Sequence, residues 1–96
     1  MTSERLVIRN PSGLHARPAA TFVRAAGRYR SSITIRNVTA DRPPVDAKSI
    51  LGVLTLGVER ETEVEISADG EDADAAIAGL REAIEAGLGE TLEPSA

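Results

Sequence analysis

A single histidine, His15, stands in a segment suited to holding an anion: Gly13-Leu14-His15-Ala16-Arg17-Pro18. Pro11, Ser12 and Gly13 break regular structure just before it. Pro18 suits the first turn of a helix, where its missing N–H would have had no intrahelical partner. The imidazole therefore belongs where a loop meets a helix start, among free backbone N–H groups and the positive end of the helix dipole. Arg17 adds a guanidinium that binds phosphate oxygens bidentately. Positive surroundings of this kind disfavour imidazolium and keep the ring neutral and nucleophilic near neutral pH. A neutral imidazole beside a phosphate cradle is what reversible phosphohistidine chemistry needs. On spacing alone, the same residue also fits a helix cap or an ordinary surface histidine.

Rival chemistries find little support. The absence of cysteine removes disulfides, thiolate nucleophiles and zinc–thiolate sites. One histidine leaves few ligands for a transition metal, so neither a metal nor a cofactor is expected. A Ser-His-Asp arrangement would have to use His15 as well, and no nucleophile-elbow motif is present. Phe22 and Tyr29 are the only aromatic residues, which argues against base stacking and leaves Val, Ile, Leu and Ala to build the core. The N-terminus lacks a basic segment followed by an apolar run, and no stretch reaches the roughly 20 apolar residues of a membrane helix. A cytoplasmic chain without a membrane insertion is expected, and its 96 residues suffice for one domain.

Charge is unevenly spread. Residues 1–60 carry ten Lys/Arg against four Asp/Glu, whereas residues 61–96 carry one against eleven. Such a split fits a basic face on an acidic molecule, and equally a soluble surface of uneven charge. The acidic C-terminal part would repel a phosphate backbone, so no nucleic acid is expected.

Hydrophobic periodicity supplies the elements that must position His15. Glu4 to Arg9 alternates and reads as a first strand. Ala16 to about Arg28 is helical, with Ala19, Phe22, Val23 and Ala26 at three- and four-residue spacing and Gly27 near its end. Ser31 to Val38 is a second strand, followed by a turn over Ala40 to Pro44 and a short third strand at Val45 and Asp46. Ser49 reads as the N-cap of a short helix containing Ile50, Leu51, Val53 and Leu54, which Gly57 stops. Glu61 to Ala68 is the clearest strand, with Val64, Ile66 and Ala68 on one face and Glu61, Glu63 and Glu65 on the other. Asp72 to Ala86 is an amphipathic helix with acidic residues in its first turn. The order βαββαβα predicts an α+β two-layer sandwich, a four-stranded antiparallel sheet with three helices on one face.

Gly13-Leu14-His15-Ala16-Arg17-Pro18-Ala19 resembles the active-site motif of the histidine-containing phosphocarrier family, HPr, of the bacterial sugar phosphotransferase system. Ala47 to Gly57 resembles that family's regulatory-serine segment, and Gly87-Leu88-Gly89-Glu90 its usual ending. The resemblance runs from about residue 4 to residue 90. It implies a phosphocarrier that is phosphorylated at Nδ1 of His15 by phospho-enzyme I, with phosphoenolpyruvate as the source. Arg17 and the N–H groups of Ala16 and Arg17 would steady the group before it passes to a histidine of an enzyme IIA domain. Ala20, Arg24, Gly27, Ile50, Leu51 and Leu54 match positions of the family's docking surface. In some relatives a serine kinase acts at the position of Ser49, although a serine there is also a good N-cap without modification.

The connection after Asn37 is longer than the family's usual hairpin, with Asp41 to Pro44 as the excess, and this change is expected to leave the His15 site alone. Residues 1–90 are read as the phosphocarrier domain and 91–96 as a flexible tail, in a monomer.

Overall fold

Alternating side chains in four segments and helical spacing in three generate the architecture. The computed structural model describes residues 1–90. Its elements are β1 (Thr2–Val7), α1 (Ala16–Ala26), β2 (Ser32–Asn37), β3 (Val45–Asp46), α2 (Ile50–Leu54), β4 (Glu63–Asp69) and α3 (Ala73–Glu85). The strands form one antiparallel sheet in the order β1-β4-β2-β3. This is the expected α+β sandwich. The proposed tail, residues 91–96, lies outside the described residues.

Register decides which side chains enter the core. Leu6 faces Val64, and Ile35 faces Ile66, so the apolar positions of three strands share one surface. Against it pack Ala19, Phe22 and Ala26 of α1 and Ala76, Ile77, Leu80 and Ile84 of α3, all buried. Burying Phe22 alone contributes about 1.5–3 kcal/mol by transfer. The opposite surface is polar. There Glu65 lies between Arg5 (3.4 Å) and Arg36 (3.1 Å), and their hydrogen bonds, that of Arg36 first, hold its carboxyl below the usual range. Two arginines of the basic N-terminal portion are thus used on the sheet, away from α1.

Several boundaries differ from the periodic reading. β1 starts at Thr2, two residues early, because its pairing with β4 extends to Ala68. β4 starts at Glu63, because Glu61 adopts a left-handed φ of 70° in a turn and its N–H bonds the Ile8 carbonyl at 2.6 Å. α2 ends at Leu54, before Gly57. Asp72 caps α3 without a side-chain bond to that helix. Its carboxylate instead accepts from the Arg30 and Ser31 N–H groups (2.8 and 2.9 Å) and from the Ser31 hydroxyl, tying the segment that leads into β2 to the start of α3. These bonds, the hydroxyl's first, hold the Asp72 carboxyl below its ordinary range.

The long connection after β2 is not an isolated flap. Asn37 is buried; its Oδ1 accepts from the Ala40 N–H (2.9 Å) and its Nδ2 donates to the Leu56 carbonyl just past α2 (2.9 Å). Arg42 reaches the Thr55 carbonyl at 3.4 Å. Arg42, with Pro43 and Pro44, therefore lies beside Thr55 and Leu56 at the end of α2, while Asp41 turns to Arg36 of β2 at 3.7 Å. Among the described residues no helix is long and apolar enough to cross a membrane, and no group of three acidic, histidine or cysteine side chains is placed to hold a metal.

Candidate functional site at the start of helix α1

His15 is the N-cap of α1, with extended backbone and no side-chain capping bond, so its ring is not consumed by the helix. The ring is about half-buried, 42% exposed. Nδ1 is bonded to Cγ and is the ring nitrogen nearer the backbone, and the first N–H groups of a helix have no intrahelical acceptor. The chain enters the helix through Ala16 at φ 51°, a left-handed conformation that costs an alanine about 1–2 kcal/mol. Ala carries no signature for that geometry, and sequence reasoning missed it. Arg17 follows, exposed, and makes no ion pair among the described residues. With Ser12, Pro18 and Glu90 it lines a shallow open depression beside the helix start.

Two tethers hold the loop that carries His15. The first is the close approach of Gly13 to the turn between α2 and β4. Gly13 has φ 58°, and the Leu14 N–H donates to the Val58 carbonyl at 3.0 Å. Buried Leu14 fixes the backbone directly before the histidine. The same turn is closed by Thr62, whose hydroxyl accepts from the Glu59 N–H at 3.1 Å. Glu59 Oε1 then lies 3.6 Å from His15 Nε2. The surroundings of the ring are therefore not uniformly positive, as the motif alone implied; a carboxylate faces one nitrogen.

The second tether comes from the segment after α3. Gly87, Leu88 and Gly89 all have left-handed φ (93°, 52° and 87°), which curls the chain so that Leu88 is buried and Glu90 reaches the 10–13 loop. The Glu90 carboxylate accepts from Asn10 Nδ2 (2.9 Å), the Ser12 N–H (3.0 Å) and the Ser12 hydroxyl (2.8 Å). Buried Asn10 also donates to the Gly13 carbonyl at 2.8 Å. These hydrogen bonds, Asn10's first, together with the nearby charge of Arg17, depress the Glu90 carboxyl. A carboxyl depressed on folding favours the ionised folded form, so its hold on the loop is complete above the ordinary value of 4.5 and is lost as pH falls through the lowered value. The Ser12 and Gly13 amide resonances should therefore shift together below pH 4.5, and Glu90→Gln should abolish that titration.

The remaining motif residues fall on two neighbouring helices. Ala20 and Arg24 of α1 and its C-cap Gly27 follow Arg17 at successive spacings of three, four and three residues, on the side not buried in the core. Ile50, Leu51 and Leu54 of α2 are 38%, 74% and 38% exposed, unusual for large apolar side chains. α1 and α2 pack against each other. Ser49 caps α2, its hydroxyl accepting from the Gly52 N–H at 3.1 Å. Arg17, Arg24, Arg28 and Arg42 are exposed and carry no ion pair among the described residues.

Comparison with known proteins bears on this arrangement. A family described as "PTS HPr component phosphorylation site" matches residues 2–86. The multiphosphoryl transfer protein of Vibrio cholerae is 45% identical over 83 residues, covering 86% of this chain and 21% of that protein. This chain thus spans about a fifth of the length of that curated relative. The phosphocarrier protein HPr of Streptomyces coelicolor is 41% identical over 93 residues, covering 97% of this chain and 98% of the relative. The crystal structure of HPr-C-His from Thermoanaerobacter tengcongensis superposes with a TM-score of 0.89 at 42% identity, covering 96% of this chain and all of that one.

Proposed function

The chain belongs to the HPr family of phosphotransferase-system phosphocarriers, and from that premise we propose that His15 is the residue that carries the phosphoryl group. The observation that supports this reading most directly is the half-exposed imidazole at the start of α1, uncommitted to capping, beside Arg17. Nδ1 accepts the group from phospho-enzyme I, which is charged by phosphoenolpyruvate, and passes it to a histidine of an enzyme IIA domain during sugar uptake in the cytoplasm. The protein acts as a covalent intermediate of the relay, with no cofactor. The Arg17 guanidinium and the N–H groups of Ala16 and Arg17 bind the phosphoryl oxygens through charge-assisted hydrogen bonds.

Docking uses the exposed apolar side chains Ile50, Leu51 and Leu54 with Ala20 and Gly27, ringed by Arg24 and its neighbours. The acidic partner surfaces that this charge pattern suits are steered by long-range attraction. Residues 1–90 form the phosphocarrier domain and work as a monomer, with Thr2 bonded to Asp74 and Glu4 to Arg81 (2.9 Å) holding β1 against α3.

Incubation with phosphoenolpyruvate and enzyme I, followed by intact mass measurement, tests the reading. A single phosphoryl adduct that is lost in acid is expected. An acid-stable adduct, or none, would overturn it.

Ser49 is read first as a cap and second as a regulatory site for a serine kinase. Ser49→Ala should lower stability by about 1 kcal/mol, which for a domain of this size moves Tm down by roughly 4–8 °C. Ser49→Asp should keep the cap and still weaken docking to enzyme I, by placing negative charge beside Ile50 and Leu51. Unchanged affinity in titration calorimetry would remove Ser49 from regulation.

A further inference from the structure

We propose that Glu59 is a positioning residue for phosphoryl transfer, holding a proton on Nε2 of His15 while Nδ1 makes and breaks its bond to phosphorus. The proposal rests on the phosphohistidine reading above. It starts from the 3.6 Å approach of Glu59 Oε1 to His15 Nε2. Although 77% of the Glu59 side chain is exposed, its backbone is held on three sides. The Thr62 hydroxyl takes its N–H, the Thr62 N–H donates to its carbonyl (3.2 Å), and Gly13 packs directly on the Val58–Glu59 backbone. The carboxylate is therefore delivered to the ring by the same contact that positions the histidine loop.

The chemistry follows from which ring nitrogen carries the proton. A carboxylate facing Nε2 favours the tautomer protonated there, which leaves the Nδ1 lone pair free for in-line attack. As the Nδ1–P bond forms, the donor's N–P bond breaks and its electron pair stays on the donor nitrogen. Nε2 keeps its proton, so the phosphorylated ring is cationic and faces the Glu59 carboxylate. On transfer to the acceptor imidazole the N–P electron pair returns to Nδ1, and the leaving group is neutral imidazole. Without the Nε2 proton the leaving group would be imidazolate, a much poorer one.

Three charged groups bear on the ring and its phosphoryl group. Glu59 faces Nε2 from the α2–β4 turn, Arg17 stands in the first turn of α1, and Glu90, from the segment after α3, couples to Arg17. Arg17 is the cation placed to bind the phosphoryl oxygens, and Glu59 faces the ring from the opposite nitrogen.

Glu59→Gln in the full chain removes the charge and keeps the shape. Three measurements read the result: the His15 ring nitrogen shifts of the unphosphorylated protein above its titration, kcat and KM with phospho-enzyme I, and the same kinetics in high salt. The variant should lose part of its Nε2–H population, and kcat should fall about three- to fivefold with KM unchanged, as for an exposed ion pair. High salt should shrink the difference. An unchanged tautomer ratio, an unchanged or faster kcat, or a change in KM alone would each overturn the proposal while leaving the phosphohistidine reading intact. Failure of the unaltered chain to form any adduct would overturn both.

Discussion

The His15→Ala chain should fold like the unaltered one and take up no phosphoryl group from phosphoenolpyruvate and enzyme I. Both halves follow from how the residue is held. Its side chain makes no capping bond to α1 and is 42% exposed, so truncation leaves no buried polar group stranded and opens no cavity. Substitutions of that kind usually change stability by about 0.5 kcal/mol or less, which moves Tm by no more than roughly 4 °C in a domain of this size. The loop keeps its shape through Leu14, Gly13 and the Glu90 carboxylate, none of which uses the imidazole. Loss of the adduct in a chain that melts normally therefore reports chemistry and not misfolding. Intact mass spectrometry reads the first half and thermal unfolding the second. An adduct that persists in His15→Ala would place the phosphoryl group on another residue.

What the sequence disclosed of this site, and what it withheld, divides along contact distance in the chain. The buried faces of β2 and β4 were legible because period-two alternation is local, and Ile33, Ile35, Val64 and Ile66 all occupy the core. The His15–Arg17 pair was legible because both residues sit within one turn of a helix whose start Pro18 marks. Glu59 was not, since it meets His15 only after an excursion through β2, β3 and α2. Nor were the bonds of Asn10 and Ser12 to Glu90, which close across nearly the whole described chain. The misplaced start of β4 has the same origin. Glu61 continues the acidic alternation in sequence, yet its N–H is needed by Ile8 and its backbone turns left-handed to close the Glu59–Thr62 turn. Alternation records which residues face water, and it is silent on the turn that brings a carboxylate to the histidine.

That turn is also where a single methyl group should do the most damage to the fold. A Cβ on Gly13 would strike the Val58 carbonyl oxygen and come within 2.9 Å of the Glu59 Cα and carbonyl carbon. All three are backbone atoms and cannot swing aside as a side-chain tip would. Relief requires the two segments to separate, which breaks the Leu14 N–H to Val58 bond and draws buried Leu14 outwards. The left-handed φ of 58° adds about 1–2 kcal/mol for any residue with a Cβ. The lost bond adds about 1 kcal/mol and the overpacking about 1–3 kcal/mol. Gly13→Ala should therefore lower stability by roughly 3 kcal/mol or more, a large share of the 5–15 kcal/mol typical of a domain. Gly57 provides the control, because it has a similar φ of 65° but open space around its Cβ direction. Gly57→Ala should show the conformational cost alone, about 1–2 kcal/mol. At a temperature where both variants are folded, Gly13→Ala should also accept phosphate at least about tenfold more slowly, since sub-ångström displacement of a reacting group carries penalties of that order. Gly57→Ala should react normally. Equal melting temperatures for the two variants would show that the Gly13 contact yields without cost, and the tethering of the His15 loop to the Val58–Glu59 backbone would then fail as an account of how the histidine is held.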